Sequence, residues 1–177
     1  MIFIFAVVLP LFLFWASVAV IEMIYPLKYE NIVEKMSQKY DVEKPLIYAI
    51  IKCESDFDVN AESSAGALGL MQITPDTFNW LKKYTRNHYE SKEEMLDPEN
   101  NIECGTLFIS ILLEKYKNLD VSLSAYNAGI KTTDRWLKDK KLSLDGKTFE
   151  NIPYRETKKY VKRVNFAYQV YKFIYFR

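Results

Sequence analysis

Histidine and cysteine are almost absent from this chain: its 177 residues include one His and two Cys. A zinc site takes three or four ligands of the His, Cys or carboxylate type at short spacing. Cys53, His88 and Cys104 stand far apart, so no metal centre is expected. A Ser-His-Asp or Cys-His enzyme would have to take His88 as its base. That residue sits in the polar stretch Arg86, Asn87, His88, Tyr89, where an exposed loop or helix-end histidine is the simpler reading. An excess of charge is missing as well. The 24 basic and 23 acidic residues leave a net +1, whereas a protein that binds nucleic acid by neutralising phosphates carries a strong basic surplus. No nucleic-acid partner is therefore expected. Neither an internal repeat nor a low-complexity tract occurs, and the length suits one domain of ordinary size.

Charge is missing altogether before Glu22. Residues 2 to 21 read IFIFAVVLPLFLFWASVAVI, and as a helix this run spans about 30 Å of hydrocarbon at 1.5 Å per residue. Pro10 lies mid-run, where a membrane helix tolerates it. The segment is a membrane address with two outcomes open. It is either a retained single-pass anchor over residues 1–25, or a signal peptide cut near Ser17-Val18-Ala19, which would release a secreted domain. The missing basic n-region and the length favour the anchor. Residues 26–177 then lie wholly on one side of the membrane. If that side is extracytoplasmic, Cys53 and Cys104 could form a disulfide closing a loop of about 50 residues; two buried free thiols are the alternative.

Beyond Lys28 the apolar periodicity is helical nearly throughout. Ile32, Val33, Met36 and Tyr40 predict a helix over about 28–39, and Pro45 opens an apolar helix to about Ser55. From Asp56 to Ile73 the periodicity lapses among small residues, predicting a folded loop. Thr74-Pro75 and Asp97-Pro98 are cap-plus-proline starts for helices to about Tyr84 and Tyr116. Asp120 is read as the cap of a short helix closed by Gly129, followed by a turn or two around Arg135, Trp136 and Leu137. The last helix covers about 155–175, with Tyr160, Val161, Val164, Tyr168 and Tyr171 on one stripe. The expected fold is a single compact, mainly helical domain with little room for more than a short β-hairpin.

Glu54 stands out on physical grounds. It follows Leu46, Ile47, Tyr48, Ala49, Ile50 and Ile51, so its carboxyl lies against an apolar wall that disfavours the charged form and raises the pKa toward the range of a general acid. A capping or surface glutamate at a helix end is the plainer alternative.

The stretch ESDFDVNAESSAGALGLMQITPDTF, residues 54 to 78, resembles the signature of the soluble lytic transglycosylases, which share a goose-type lysozyme-like α+β fold. Ser124-Ala125-Tyr126-Asn127-Ala128-Gly129 and the block from Ile152 to Val161 are similar to two further motifs of that family, in the same order. The resemblance covers residues 45 to about 165. It implies cleavage of the β-1,4 bond between N-acetylmuramic acid and N-acetylglucosamine in peptidoglycan, with formation of 1,6-anhydro ends and no cofactor. Glu54 is then the single acid and base. It protonates the leaving oxygen, then takes the proton of the sugar's own C6 hydroxyl as that group attacks C1. The resemblance leaves Asp56, Asp58 and Glu62 without a catalytic role, because the substrate's acetamido group assists at C1.

By the same resemblance, Ser63 hydrogen-bonds near the acid, and Gly69, Leu70, Met71 and Gln72 line the glycan groove. Tyr126 brings its hydroxyl to the glutamate, Asn127 fixes local backbone, and Glu156 and Tyr160 face the groove from the last helix. An ordinary turn serine for Ser63, a core Met71 and a structural salt bridge for Glu156 are the alternatives. Trp80 and Trp136 could stack on sugar rings, but most aromatics here read as core. Two other functions stay open beside a membrane-tethered transglycosylase: a hydrolytic lysozyme, and a non-catalytic glycan-binding scaffold within an envelope-spanning machine.

Overall fold

The computed structural model describes residues 2–84 and 91–176, without the side chains of residues 2–9 and Phe14. His88 and its neighbours therefore lie outside the described residues. The chain divides into two compact units, Met1–Glu30 and Asn31–Arg177.

The first unit is helix α1, Ile2–Ile24, with Pro10 inside it. Tyr25 N donates to Ile21 O at 2.7 Å and closes its last turn. Leu11, Phe12, Leu13, Trp15, Val20 and Met23 are exposed on it, so the helix is apolar on every side and has no polar face to turn to water. Among the described residues no helix is long and apolar enough to cross a membrane.

The second unit is built almost entirely of helices: α2 (Glu30–Tyr40), α3 (Lys44–Glu54), α4 (Pro75–Leu81), α5 (Lys92–Leu96), α6 (Pro98–Tyr116), α7 (Leu119–Ala128), α8 (Ile130–Lys138) and α9 (Arg155–Tyr175). Pro45 sits in the first turn of α3, where its missing N–H costs nothing. Residues Pro45 to Ile51 of α3 are all buried, at roughly 1.5–3 kcal/mol of apolar transfer for each large side chain. Helix α3 packs chiefly on α9, and α7 packs on both α6 and α9. Tyr48 stacks on Tyr171 with ring centroids 5.3 Å apart. The buried stripe of α9 includes Tyr160, Val161, Val164, Tyr168 and Tyr171, as its periodicity predicts.

Several local expectations are corrected. Helix α4 ends at Leu81 rather than near Tyr84. The polar stretch before Asp97 holds a helix, α5, nucleated by a capping box in which Ser91 and Glu94 each accept from the other's backbone N–H. Helix α7 is capped by Asn118, whose Oδ1 accepts from Val121 N at 3.0 Å. Asp120 instead lies inside the first turn and accepts from Asn165 Nδ2 at 2.8 Å. The turn foreseen around Arg135 is a helix of 9 residues. Among the described residues the β part amounts to two isolated bridges, Glu62 to Leu68 and Leu68 to Ile73.

Candidate active site

Glu54 is the last residue of α3, and the next few residues fold the chain back over it. The Ser55 N–H still bonds to Ile51 O and Lys52 O, but Asp56 (φ 53°) and Phe57 (φ 66°) are left-handed. Two such residues in succession cost on the order of 1 kcal/mol each. Phe57, only 5 % exposed, offsets this by burying its ring near Tyr48.

The loop beyond is cross-tied at nearly every residue. Leu68 and Ile73 exchange both backbone hydrogen bonds, at 3.1 and 3.0 Å, and Gly69 N donates to Ala61 O at 2.8 Å. Gln72, left-handed at φ 49°, donates its Nε2 to Ala61 O at 3.1 Å and Gly69 O at 3.0 Å. Ser55 Oγ donates to Leu70 O at 2.8 Å, and Tyr126 Oη to Met71 O at 2.9 Å. The loop is thereby fastened to the end of α3 on one side and to α7 on the other.

Its principal support is Asn101 of α6, which composition and motifs do not single out. Asn101 is 1 % exposed. Its Oδ1 accepts from Met71 N at 2.7 Å, and its Nδ2 donates to Leu68 O at 2.9 Å and Met95 O at 2.8 Å. The available signal is an asparagine inside an otherwise apolar helical stripe, a position where a polar side chain must find partners. Gly69 (φ +72°) fits against it: a Cβ there would lie 2.5 Å from Asn101 Nδ2. Gly105, one helical turn on, lets Met71 reach the helix, since a Cβ would fall 2.4 Å from its Sδ.

Glu54 itself is partly buried, and its pKa is pushed up to about 7, chiefly by burial; the Tyr160 hydroxyl and the Arg163 guanidinium pull it back down. At neutral pH both protonation states are thus populated. Tyr160 Oη faces this carboxyl yet makes no hydrogen bond of full geometric quality. Tyr126 also feels the Glu54 charge, but its hydrogen goes to Met71 O. Both phenols thus sense the Glu54 charge: that of Tyr160 lowers the pKa of the acid, and that of Tyr126, which the resemblance places at the acid, is hydrogen-bonded to Met71 O. Burial raises both phenols well above their ordinary value and keeps them neutral. The three neighbouring carboxylates are engaged elsewhere. Asp56 pairs with Lys52, Asp58 Oδ1 accepts from Asn60 N at 2.9 Å, and Glu62 pairs with Lys92 at 2.6 Å. None of them contributes to the Glu54 shift.

The other sequence candidates fall into two groups. Leu70 and Met71 are fully buried and offer the site their backbone rather than their side chains. Ser63 closes its own turn, accepting from Ala67 N at 3.0 Å on Oγ. Asn127 and Glu156 are exposed, the latter in the first turn of α9. Trp136, 4 % exposed, is core against Phe149 and Tyr154. Trp80 meets Phe108 edge-on at 6.0 Å, and Phe108 lies 5.0 Å from Tyr126. Trp80 and Phe108 also line a cavity of about 430 Å³ with Thr77, Ile130 and Lys131. Cys53 and Cys104 are free thiols, pushed by burial up to about 11 and about 12 respectively. No group of His, Cys or carboxylate residues able to hold a metal ion occurs among the described residues.

This arrangement has known counterparts. Residues 31–149 match the family model described as "Transglycosylase SLT domain". The chain is 34% identical over 150 residues to the soluble lytic murein transglycosylase of Escherichia coli K12, a match covering 83% of this chain and 23% of that protein. It is 32% identical over 167 residues to membrane-bound lytic murein transglycosylase C of Photorhabdus laumondii, covering 81% of this chain and 46% of that one. Among solved structures, the 70-kDa soluble lytic transglycosylase in complex with bulgecin A superposes with a TM-score of 0.76 at 29% identity, over 86% of this chain and 25% of that one. An inactive glutamate-to-glutamine mutant of lytic transglycosylase Slt from Pseudomonas aeruginosa gives 0.72 at 28%, over 84% and 24%. The chain thus spans less than half the length of these relatives.

Proposed function

Because the chain belongs to the transglycosylase SLT domain family, we propose that it is a peptidoglycan lytic transglycosylase in which Glu54 serves as both acid and base. The observation that carries this reading is a carboxyl group with a pKa near 7 and no second carboxylate acting on it. A group half-protonated at neutral pH can donate to the glycosidic oxygen. Once ionised, it can accept the C6 hydroxyl proton as the 1,6-anhydro ring closes. A glycosidase that delivers water or forms a covalent intermediate uses a partner carboxylate within about 10 Å, and Asp56, Asp58 and Glu62 are each held by other groups. The Tyr160 hydroxyl donates to the carboxylate stage, and Arg163 favours the same stage by charge. The fixed backbone of Gly69 to Gln72 and the rings of Tyr126 and Tyr160 shape the wall of the glycan groove, with Ser63 in the loop and Asn127 and Glu156 on its exposed rim.

The apolar N-terminal segment, residues 1–25, uncharged as far as Glu22, serves in this reading as a single-pass anchor that holds residues 26–177 at the extracytoplasmic face. The resemblance to a relative named membrane-bound and the uniformly apolar α1 support it. If the segment is cleaved, the enzyme is secreted. The reading is tested by digesting purified peptidoglycan with the full chain in detergent and weighing the muropeptides. Anhydro ends lost in Glu54→Gln are expected. Reducing ends, heavier by one water, would mean a muramidase. An effect in cells that survives Glu54→Gln, with no glycan cleavage by the wild type, would mean a scaffold.

A further inference from the structure

Helix α9 is two-faced in an unusual way. Its inner stripe is buried in the core. Its outer stripe carries Arg155, Lys159, Lys162, Phe166, Gln169 and Phe173, all exposed. At 100° per residue these six positions fall within about 60° of a common line, with the cations in the first half and the aromatics in the second. Phe166 is 65 % exposed and Phe173 66 %. No acidic residue shares the line, and among the described residues Lys159 and Lys162 take part in no ion pair. A water-facing helix has no use for a phenylalanine as exposed as Phe166 on the same side as Lys159 and Lys162. A helix lying at a lipid surface has a use for both, because rings enter the headgroup boundary while Lys and Arg meet anionic phosphates.

We propose that this face of α9 docks on an anionic lipid surface. The inference rests on the tethered reading, which supplies the surface. Tyr25 to Tyr29 are all that separates the end of α1 from the start of α2, and a chain that short reaches at most about 17 Å even when extended. A bilayer holding α1 therefore stays within reach of the remaining domain. Charge complementarity selects anionic lipid over a second copy of this chain, whose matching face would be equally basic. Arg163, which acts on Glu54, is exposed at the flank of this face. Docking would set the catalytic cleft beside the membrane and restrict cutting to glycan close to it.

The experiment uses the full chain in lipid nanodiscs, either pure phosphatidylcholine or containing phosphatidylglycerol, with hydroxyl-radical footprinting of the peptides that carry Phe166 and Phe173. Tyr84, 51 % exposed on another part of the domain, is the internal reference. In phosphatidylglycerol discs Phe166 is expected to oxidise at least fivefold more slowly than in phosphatidylcholine discs, while Tyr84 is unchanged. Neutralising two lysines near an anionic surface weakens docking about thirtyfold. Lys159→Gln with Lys162→Gln should therefore restore Phe166 oxidation, with peptidoglycan cleavage in detergent unaltered. Incorporation into discs without protection of Phe166 overturns the docking and spares the anchor. Failure to incorporate overturns both. Protection that appears in detergent alone and grows with protein concentration assigns the face to a second copy and overturns the lipid assignment.

Discussion

The raised pKa of Glu54 is also a statement about stability, and this gives a test that needs no substrate. The perturbation is Glu54→Gln, which keeps the shape and removes the titration. In the unfolded chain the carboxyl titrates near 4.5, and in the fold it titrates near 7. A folded-state pKa above the unfolded one means that the fold prefers the protonated form. The group's favourable contribution is then fully present below about pH 4.5 and is lost as pH rises through 7. At about 1.4 kcal/mol per pKa unit the full swing is about 3 kcal/mol, and the partial solvent access of Glu54 brings the expectation to about 2 kcal/mol. Against a typical total of 5–15 kcal/mol this is readily measured. Glu54→Gln should therefore match the wild type in urea denaturation near pH 4.5 and exceed it by about 2 kcal/mol at pH 8.5, with the gain developing between pH 5 and 8. A stability difference that is flat across this range would refute the claim that burial governs Glu54. A wild type that gains on the variant as pH rises would mean that Arg163 and Tyr160 outweigh desolvation.

Two further outcomes rest on the same geometry. Asn101→Ala deprives Met71 N of its side-chain acceptor and withdraws a donor from Leu68 O and Met95 O. At about 1–3 kcal/mol for each buried group left unpaired, it should cost about 3 kcal/mol in urea denaturation. It should also lower peptidoglycan cleavage, because the carbonyls that hold Ser55 and Tyr126 belong to that loop. Arg163→Gln removes a cation that lowers the Glu54 pKa; the ionisation limb of the cleavage pH profile should move to higher pH, and the fold should lose little stability.

Local rules carried much of the fold, and particular residues explain where they stopped. The stripe on α9 and the proline starts of α3, α4 and α6 are short-range patterns, legible because helix periodicity and first-turn proline are properties of a few neighbouring residues. The cap of α7 was misplaced because Asn118 and Asp120 are both good caps, and the choice between them depends on Asn165, 45 positions away. Helix α5 was missed because its only apolar anchors, Met95 and Leu96, are too few to show a period.

The catalytic neighbourhood divides along the same line. By itself the sequence offered Glu54 as the candidate acid, through the apolar helix that leads into it and the resemblance of residues 54 to 78 to the transglycosylase signature, both of them local patterns. It also showed how few His and Cys residues are available for chemistry, and that the N-terminal segment carries no charge before Glu22. Only the tertiary structure decided where the two phenols go. Tyr126 gives its hydrogen to Met71 O, and Tyr160, more than a hundred residues from Glu54 in sequence, lowers the pKa of the acid. It likewise decided that the loop hangs on Asn101, and that Arg163 moderates the proton affinity of the carboxyl. These are contacts between distant parts of the chain. Their partners are chosen by the packing of α3 on α9 and of Met71 against Gly105, and packing distances are not written in any short stretch of sequence.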